Sequence, residues 1–496
     1  MRQVADITVR LKDYAMLEVD VEPGIAAELS DHFSFYVPGY KFMPAYKNKV
    51  WDGKIKLFNR ISGEISAGLM TYLQDFAAAR SYTLAVQESP LHGSPLDKNI
   101  VPSLISWLHK CENLPFEPRS SQLEALQVAL EKSRAILLSP TGSGKSYIIY
   151  LLILYYISMI SKDQPILIIV PTTSLVEQMY TDFQDYGMSV DKHCHRIYSG
   201  KDKNVNKRVI ISTWQSIYKF PPAWFKRFGM VIGDECHGFK SKSLSSIMNK
   251  ATEAKYRFGL TGTLDGTQTH KLVLEGLFGP VYQVTTTKDL QDDGTLAPLK
   301  INMVMLQYPE DVRKNFGQRE YQDEIKYIIE HEGRNKFIRN LALSLSGNSL
   351  VLYNRVDGHG VPLFNMIRDK AADGRKVFFV SGQVDVDDRE AIRKIVETQK
   401  DAIIVASLGT FSTGINIRNL HNIVFASPSK SQIKVLQSIG RGLRQSDDRR
   451  TTTLYDISDN LCWKKRVNFA MRHAGERLKI YENQQFEHVL VKVDIK

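Results

Sequence analysis

Short, continuously apolar runs recur along most of the chain, each followed by a longer stretch of mixed polarity. Ala135-Ile136-Leu137-Leu138, Ile166-Leu167-Ile168-Ile169-Val170, Val209-Ile210-Ile211 and Met230-Val231-Ile232 form one series. Leu350-Val351-Leu352-Tyr353, Val377-Phe378-Phe379-Val380, Ala402-Ile403-Ile404-Val405 and Ile423-Val424-Phe425 form a second. Such runs, alternating with helical stretches, predict parallel strands covered on both faces. Two α/β domains in tandem are therefore expected, with Asp289 to Pro309, which holds Asp-Asp-Gly and two prolines, as a crossing segment.

The first hundred residues differ in texture. Ile7-Thr8-Val9-Arg10-Leu11 and Met16-Leu17-Glu18-Val19 predict short strands, and a helix is expected from Pro23. Lys54-Ile55-Lys56-Leu57 alternates like a half-buried strand. Glu88 to Pro118 carries Pro90, Pro95, Pro102, Pro115 and Pro118 and reads as a connection, with at most a short helix near Trp107. The run from Tyr147 to Ile160 is apolar on every side but falls short of the roughly 20 residues that span a bilayer. It predicts a helix buried between layers.

Composition adds limits. The 496 residues, 43% hydrophobic, exclude a disordered or disulfide-framework chain. Lys and Arg outnumber Asp and Glu 65 to 54, a net charge of +11 that favours an anionic partner. Cys111, Cys194, Cys236 and Cys462 are dispersed, as suits a reducing compartment. His193-Cys194-His195 lacks a second pair at ligand spacing and is read as structural. Met1 to Asp6 has no apolar signal segment.

Chemistry enters at Ser139-Pro140-Thr141-Gly142-Ser143-Gly144-Lys145-Ser146, which follows an apolar strand and opens a helix. This is the context of a phosphate-binding loop, with Ser139 where the pattern's first glycine would stand. Glycines let backbone N–H groups converge on phosphates, and the helix N-terminus adds positive potential. Lys145 is the candidate for the β- and γ-phosphates and Ser146 for Mg²⁺. Met230-Val231-Ile232-Gly233-Asp234-Glu235 ends a strand in two carboxylates, Asp234 suited to Mg²⁺ and Glu235 to the attacking water.

Asp234-Glu235-Cys236-His237 downstream of that loop resembles the DExH box of superfamily 2 helicases and translocases, and further motifs of that family follow in order. The resemblance implies that Gln122, with Arg119 nearby, recognises adenine. It implies that Pro171-Thr172 and Thr213-Trp214-Gln215 hold one strand's phosphates, and that Thr261 and Thr263, in Gly259-Leu260-Thr261-Gly262-Thr263, couple hydrolysis to movement. Val405-Ala406-Ser407 through Gly414-Ile415-Asn416 resembles motif V, which implies Thr410 as a nucleic-acid contact and Gly414 as a nucleotide contact. Gln437-Ser438-Ile439-Gly440-Arg441-Gly442-Leu443-Arg444 resembles motif VI, implying Gln437, Arg441 and Arg444 in catalysis, the arginines as fingers on the transferring phosphoryl group. Asn416 and Ser121 depart from the family pattern, where an acidic and an aromatic residue are common.

Gly39-Tyr40-Lys41-Phe42 and Trp51-Asp52-Gly53-Lys54-Ile55-Lys56-Leu57 resemble the N-terminal domain of UvsW-type helicases of tailed bacteriophages. That likeness implies a DNA-dependent ATPase that remodels branched DNA: regressing forks, migrating Holliday junctions and unwinding D-loops and R-loops. An RNA helicase, a restriction-type duplex translocase or a strand-annealing binding protein remains as an alternative. The expected architecture is two tandem RecA-like parallel-sheet motor domains, with a small α+β domain ahead and a short helical segment behind. Its boundaries are 1–100, 101–292, 293–459 and 460–496. ATP and Mg²⁺ are the implied cofactors, DNA the partner, a monomer the expected state, and the bacterial host cytoplasm the expected location if the source is viral.

Two basic segments lie outside the motor motifs. Lys41 to Arg60 holds Lys41, Lys47, Lys49, Lys54, Lys56 and Arg60 against Asp52, with Phe42, Tyr46, Trp51 and Phe58 interleaved. Lys47, Lys49, Trp51 and Lys54 are candidate DNA contacts, although the aromatics could equally form the small domain's core. Lys464, Lys465, Arg466, Arg472, Arg477 and Lys479 form either a DNA-facing helix surface or a solvated one.

Overall fold

The computed structural model describes residues 5–87, 103, 105–106, 114–159, 164–198, 206–264, 267–382, 384, 386–414, 417, 419–427, 439–440, 443 and 451–495. They form two compact units, Met1–Ser139 with Gly144–Val284, and Pro140–Ser143 with Thr285–Lys496.

In the first unit the predicted apolar runs become a seven-stranded parallel sheet. Its order is Cys194–Ile197, Val209–Thr213, Ile166–Val170, Met230–Asp234, Tyr256–Thr261, Arg134–Leu138 and Val281–Gln283. Continuous hydrophobicity has a direct cause here. Ile166, Ile168 and Val170 pack into one apolar layer, while Leu167 and Ile169 pack into the other. The helix Lys145–Met159 lies in the first layer, with Tyr147 through Leu154 and Tyr156 all buried. The run that is too short for a bilayer is thus a core helix; among the described residues no helix is long and apolar enough to cross a membrane. Cys194 is also core, its thiol 3.4 Å from Met188 Sδ and pushed by burial up to about 12.

The N-terminal α+β module belongs to this same unit. Five strands in the order Phe58–Asn59, Glu64–Ser66, Met16–Val21, Ile7–Leu11 and Leu84–Gln87 pack against the helices Pro23–His32 and Met70–Ala79. Its seam with the α/β domain is tight. A Cβ added at Gly68 would fall 1.9 Å from the Glu275 carbonyl oxygen, so only glycine fits. Tyr72 donates its hydroxyl to Glu275 Oε2 at 2.6 Å, and Arg134 donates to the Tyr14 carbonyl at 2.8 Å.

The second unit is another seven-stranded parallel sheet. Its order is Val377–Val380, Ile403–Ser407, Ser349–Tyr353, Asn422–Phe425, Thr452–Asn460, Leu299–Gln307 and Glu487–Asp494. Leu350 and Leu352 face one apolar layer, Val351 and Tyr353 the other. Two expectations change. The supposed crossing segment contains the nine-residue strand Leu299–Gln307, paired on both sides. The C-terminal segment has its helix, Phe469–Asn483, but adds the strand Glu487–Asp494 to the sheet edge.

The expected basic face on that helix is interrupted. Arg477 is buried, its guanidinium bound to both Asp456 oxygens at 2.8 and 2.7 Å and to Ser458 Oγ at 2.8 Å. A residue one helical face inward of the exposed Lys479 serves the core because a buried carboxylate on the neighbouring strand demands a cation. Arg334 and Asp459 form a second buried pair, at 2.7 Å. Glu324, also buried, accepts the backbone N–H groups of Phe469 and Ala470, which places a carboxylate at that helix's N-terminus.

Candidate nucleotide and nucleic-acid site

The loop from Ser139 leaves the strand Arg134–Leu138 and turns into the helix Lys145–Met159. Gly142 and Gly144 adopt left-handed φ values of +91° and +82°, which a side chain would strain. Pro140 carbonyl oxygen accepts from the Ser143 hydroxyl at 2.8 Å, and Thr141 lies between them in the turn. Lys145 Nζ donates to the Ser139 carbonyl at 3.2 Å, curled back over the loop it would use to hold phosphates. Ser146 Oγ lies 2.9 Å from Tyr186 OH.

Gln122 and Arg119 reach the same loop. Gln122 Oε1 accepts the Arg119 backbone N–H at 3.0 Å, which orients its amide at the first turn of the helix Ser120–Lys132. A Cβ added at Gly144 would meet Gln122 Nε2 at 2.4 Å.

Asp234 ends the strand Met230–Asp234 at the carboxyl edge of the sheet, where ligands of α/β folds bind. Burial and the adjacent Glu235 push its carboxyl up to about 6, while Lys145 works in the other direction. A buried carboxylate beside a second, half-buried one is costly without further positive charge, so the donor set fits a divalent cation. Glu235 takes an αL backbone, φ +49°, and its N–H donates to Asp234 Oδ1 at 3.0 Å. Such strain in a non-glycine residue turns its side chain away from the continuing strand direction.

Glu235 then meets two partners. Thr261 Oγ1 lies 3.4 Å from Glu235 Oε2 and 2.9 Å from His237 Nδ1, and His237 Nδ1 lies 3.4 Å from Glu235 Oε2. The Thr261 hydroxyl also contacts the Thr263 carbonyl at 3.1 Å. Since Thr261 ends the strand between those of the loop and Asp234, its neighbours converge on it: its carbonyl accepts the Ser139 N–H at 2.9 Å.

Pro171, Thr172, Thr213 and Gln215 sit at the ends of the paired strands Ile166–Val170 and Val209–Thr213. Thr172 caps the helix Thr173–Asp185, Gln215 Nε2 donates to the Pro171 carbonyl at 3.3 Å, and Thr213 Oγ1 bonds Ser216 Oγ at 2.9 Å. In the second unit, Thr410 is buried in the helix Leu408–Gly414, its hydroxyl 2.6 Å from Ser407 Oγ, and Gly414 closes that helix. Gln437, Arg441 and Arg444, like Asn416, lie outside the described residues.

In the N-terminal module, Lys47 and Lys49 are exposed and Lys54 lies 5.0 Å over the Tyr36 ring. Phe58 is core, whereas Trp51 is half-buried with its indole N–H donated to the Lys54 carbonyl at 2.8 Å. No sequence signal assigns a role to His237 or Tyr186. His237 stood within the quoted DExH run, whereas Tyr186 carries no pattern at all.

Comparison with known proteins agrees with this geometry. Family models described as DNA helicase UvsW, N-terminal, as Type III restriction enzyme, res subunit, and as Helicase conserved C-terminal domain match residues 6–87, 115–266 and 333–446. The chain is 34% identical to the ATP-dependent DNA helicase uvsW of Enterobacteria phage T4, covering 99% of this chain and 100% of that protein. It is 23% identical to the DNA 3'-5' translocase XPB2 of Sulfurisphaera tokodaii, over 71% of this chain and 83% of that one. The crystal structure of T4 UvsW superposes with a TM-score of 0.52 at 33% identity, covering 99% of both chains. Together with the loop, the paired carboxylates and the ordered motifs, this full-length likeness means that the chain belongs to the UvsW family of helicases.

Proposed function

We propose that this protein is an ATP-driven DNA helicase that remodels branched DNA: regressing forks, migrating four-way junctions and unwinding D-loops and R-loops. The observation that carries the reading is the convergence of Lys145, Ser146, Asp234, Glu235 and Thr261 on one sheet edge. Thr141, Gly142, Ser143 and Gly144 supply the backbone cradle with Pro140, and Arg119 and Gln122 read the base. Ser146 and Asp234 are the residues that would hold Mg²⁺, which neutralises phosphate charge when bound. Lys145 binds the terminal phosphates and Glu235 takes the proton of the attacking water. Gln437, Arg441 and Arg444 stabilise charge on the transferring group, and Gly414 contacts the nucleotide. Thr261 relays the state of Glu235 to His237 and Thr263.

DNA is held at Pro171, Thr172, Thr213, Gln215 and Thr410, and on the N-terminal module at Lys47, Lys49, Trp51 and Lys54. The helix N-terminus capped by Thr172 favours a backbone phosphate. The domain reading follows the motifs, with 1–100 as accessory module, 101–292 and 293–459 as motors, and 460–496 as the C-terminal segment.

ATPase stimulation measured with single-stranded DNA, duplex, four-way junction and RNA tests this. Strongest stimulation by the junction, with strand exchange on it, is expected. Strongest stimulation by RNA or by linear duplex would replace the reading with an RNA helicase or a duplex translocase.

A further inference from the structure

In the second unit, the helix Tyr321–Glu330 has two faces with different surroundings. On one face Gln322 accepts a hydrogen bond from Arg355, which lies just past the strand Ser349–Tyr353. The end of that strand is paired with Ser407, close before Thr410, so this face adjoins the proposed DNA contact of the second unit. The other face borders a groove of about 880 Å³, shared with Phe469 and Arg472 at the start of the helix Phe469–Asn483. Glu324 pins the two walls together, accepting the Phe469 and Ala470 backbone N–H groups at 3.0 and 2.7 Å. The groove lies outside every motor motif quoted above.

Its lining is aromatic and charged. Tyr327 and Phe469 are half-buried, Tyr327 packed on Phe316 at 5.0 Å and Phe469 met edge-on by Tyr321 at 5.6 Å. Arg472 lies 4.3 Å over the Phe469 ring. Arg319 lies 4.6 Å over Phe316, its Nε donated to the Phe316 carbonyl at 3.1 Å. Lys326 adds a third cation, and Glu320, Asp323 and Glu330 add three carboxylates. Among the described residues no two of these six groups form an ion pair. Unspent cations beside unspent acceptors do not suit a bare phosphate, which the carboxylates would repel. They suit a nucleotide. Guanidiniums laid on rings keep their in-plane donors for a phosphate, the rings stack a base, and carboxylates accept from its exocyclic amino group. A mixed-charge peptide would meet the same six groups, but the helix that leads from the groove to Arg355 and the strand end beside Thr410 favours DNA.

We infer that this groove seats an unpaired nucleotide of a DNA strand separated by the motor. Tyr327 and Phe469 stack its base, Lys326 and Arg472 hold the flanking phosphates, and Asp323 and Glu330 accept the amino group of cytosine or adenine. The exposed Lys464 and Lys465, in the turn ahead of Phe469, extend the positive charge along the strand. The inference rests on the DNA-remodelling reading and adds a single-strand site on the second motor domain.

The test uses the full chain and a fork whose single-stranded arm carries 5-iododeoxycytidine, a photocrosslinker that attacks aromatic side chains. Crosslinks from the arm should map to Tyr327 or Phe469. Lys326→Ala combined with Arg472→Ala should weaken binding of the fork about tenfold and lower its salt-dependence slope by roughly 0.7 for each cation removed. The thermal midpoint should hold, since both side chains are exposed. Lys479→Ala, on the same helix but outside the groove, should leave fork affinity as it was. Arms of dC should bind about fivefold more tightly than arms of dT, for one hydrogen bond gained. Asp323→Ala combined with Glu330→Ala should erase that preference. Crosslinks that all map elsewhere, or a Lys326→Ala, Arg472→Ala variant that keeps fork affinity, overturn the groove as a DNA site. Equal affinity of the wild type for dC and dT overturns the part given to Asp323 and Glu330. A wild type whose ATPase no DNA stimulates would instead overturn the helicase reading, because the crosslink and affinity are read without ATP.

Discussion

The hydroxyl of Tyr186 sits 2.9 Å from Ser146 Oγ, bonding the loop residue proposed to hold Mg²⁺ to a helix end 40 residues away. The phenol is fixed by its ring, which packs on Tyr147 at 5.0 Å and Tyr150 at 5.3 Å. The bond would therefore compete with the proposed ligand for the serine. Tyr186→Phe keeps the ring and removes the competitor, worth about 1 kcal/mol for one neutral hydrogen bond. The KM for Mg-ATP should fall about fivefold with kcat little changed, read from steady-state ATPase titrations. An unchanged KM would show that the two hydroxyls do not compete.

Glu235 combines a left-handed backbone with contacts to Thr261 and His237. Glu235→Gln preserves the shape and removes the proposed base. Nucleotide binding should persist while kcat falls roughly 10²- to 10⁴-fold, the usual worth of a general base. Fluorescent-nucleotide binding beside DNA-stimulated phosphate release separates the two, and wild-type turnover would remove Glu235 from the mechanism.

Arg477 is part of the core, although its sequence neighbours suggest a DNA-facing surface. Arg477→Met leaves Asp456 buried without its cation and should cost about 3–5 kcal/mol. Lys479→Ala, one turn face outward and exposed, should change stability by less than about 0.5 kcal/mol. Chemical denaturation of both variants checks the contrast; equal midpoints would refute the buried role.

His359 is buried in the second unit, its Nδ1 3.1 Å from Ser427 Oγ. Burial, reinforced by the charge of Arg334, holds its pKa down to about 3. The unfolded chain binds a proton near 6.5. Between those values the unfolded state carries the extra proton, so stability is complete above about pH 6.5 and falls as pH drops. The slope from this group is about 1.4 kcal/mol per pH unit. His359→Gln should flatten the acid side of the stability profile, and an unaltered profile would exclude His359 as its source.

Strands buried on both faces were legible because continuous hydrophobicity is what such burial requires, as at Ile166–Val170 and Ser349–Tyr353. The turn from Ser139 into the helix at Lys145 and the strand end at Asp234-Glu235 were legible because their patterns are local in sequence. Leu299–Gln307 was hidden by the flanking Pro298 and Pro309 and the preceding Asp-Asp-Gly, which read as loop. Glu487–Asp494 was hidden because an edge strand keeps charged residues, here Glu487, Lys492 and Asp494. In the basic N-terminal segment, sequence could not separate Phe58, which is core, from Phe42, which faces solvent. Tyr186 could not be found by spacing, since only folding brings it to Ser146.

The strand Leu299–Gln307 also sets a schedule for synthesis. Both its neighbours, Thr452–Asn460 and Glu487–Asp494, come far later in the chain; Gln307 and its side-chain partner Asn460 are 153 residues apart. During translation this strand emerges early and waits with both edges unpaired, while the first unit already has all its strands. The second unit thus pays a long loop-closure entropy before its sheet can close. Slow, chaperone-sensitive maturation should be confined to that half of the molecule, with the first unit's sheet folding ahead of it.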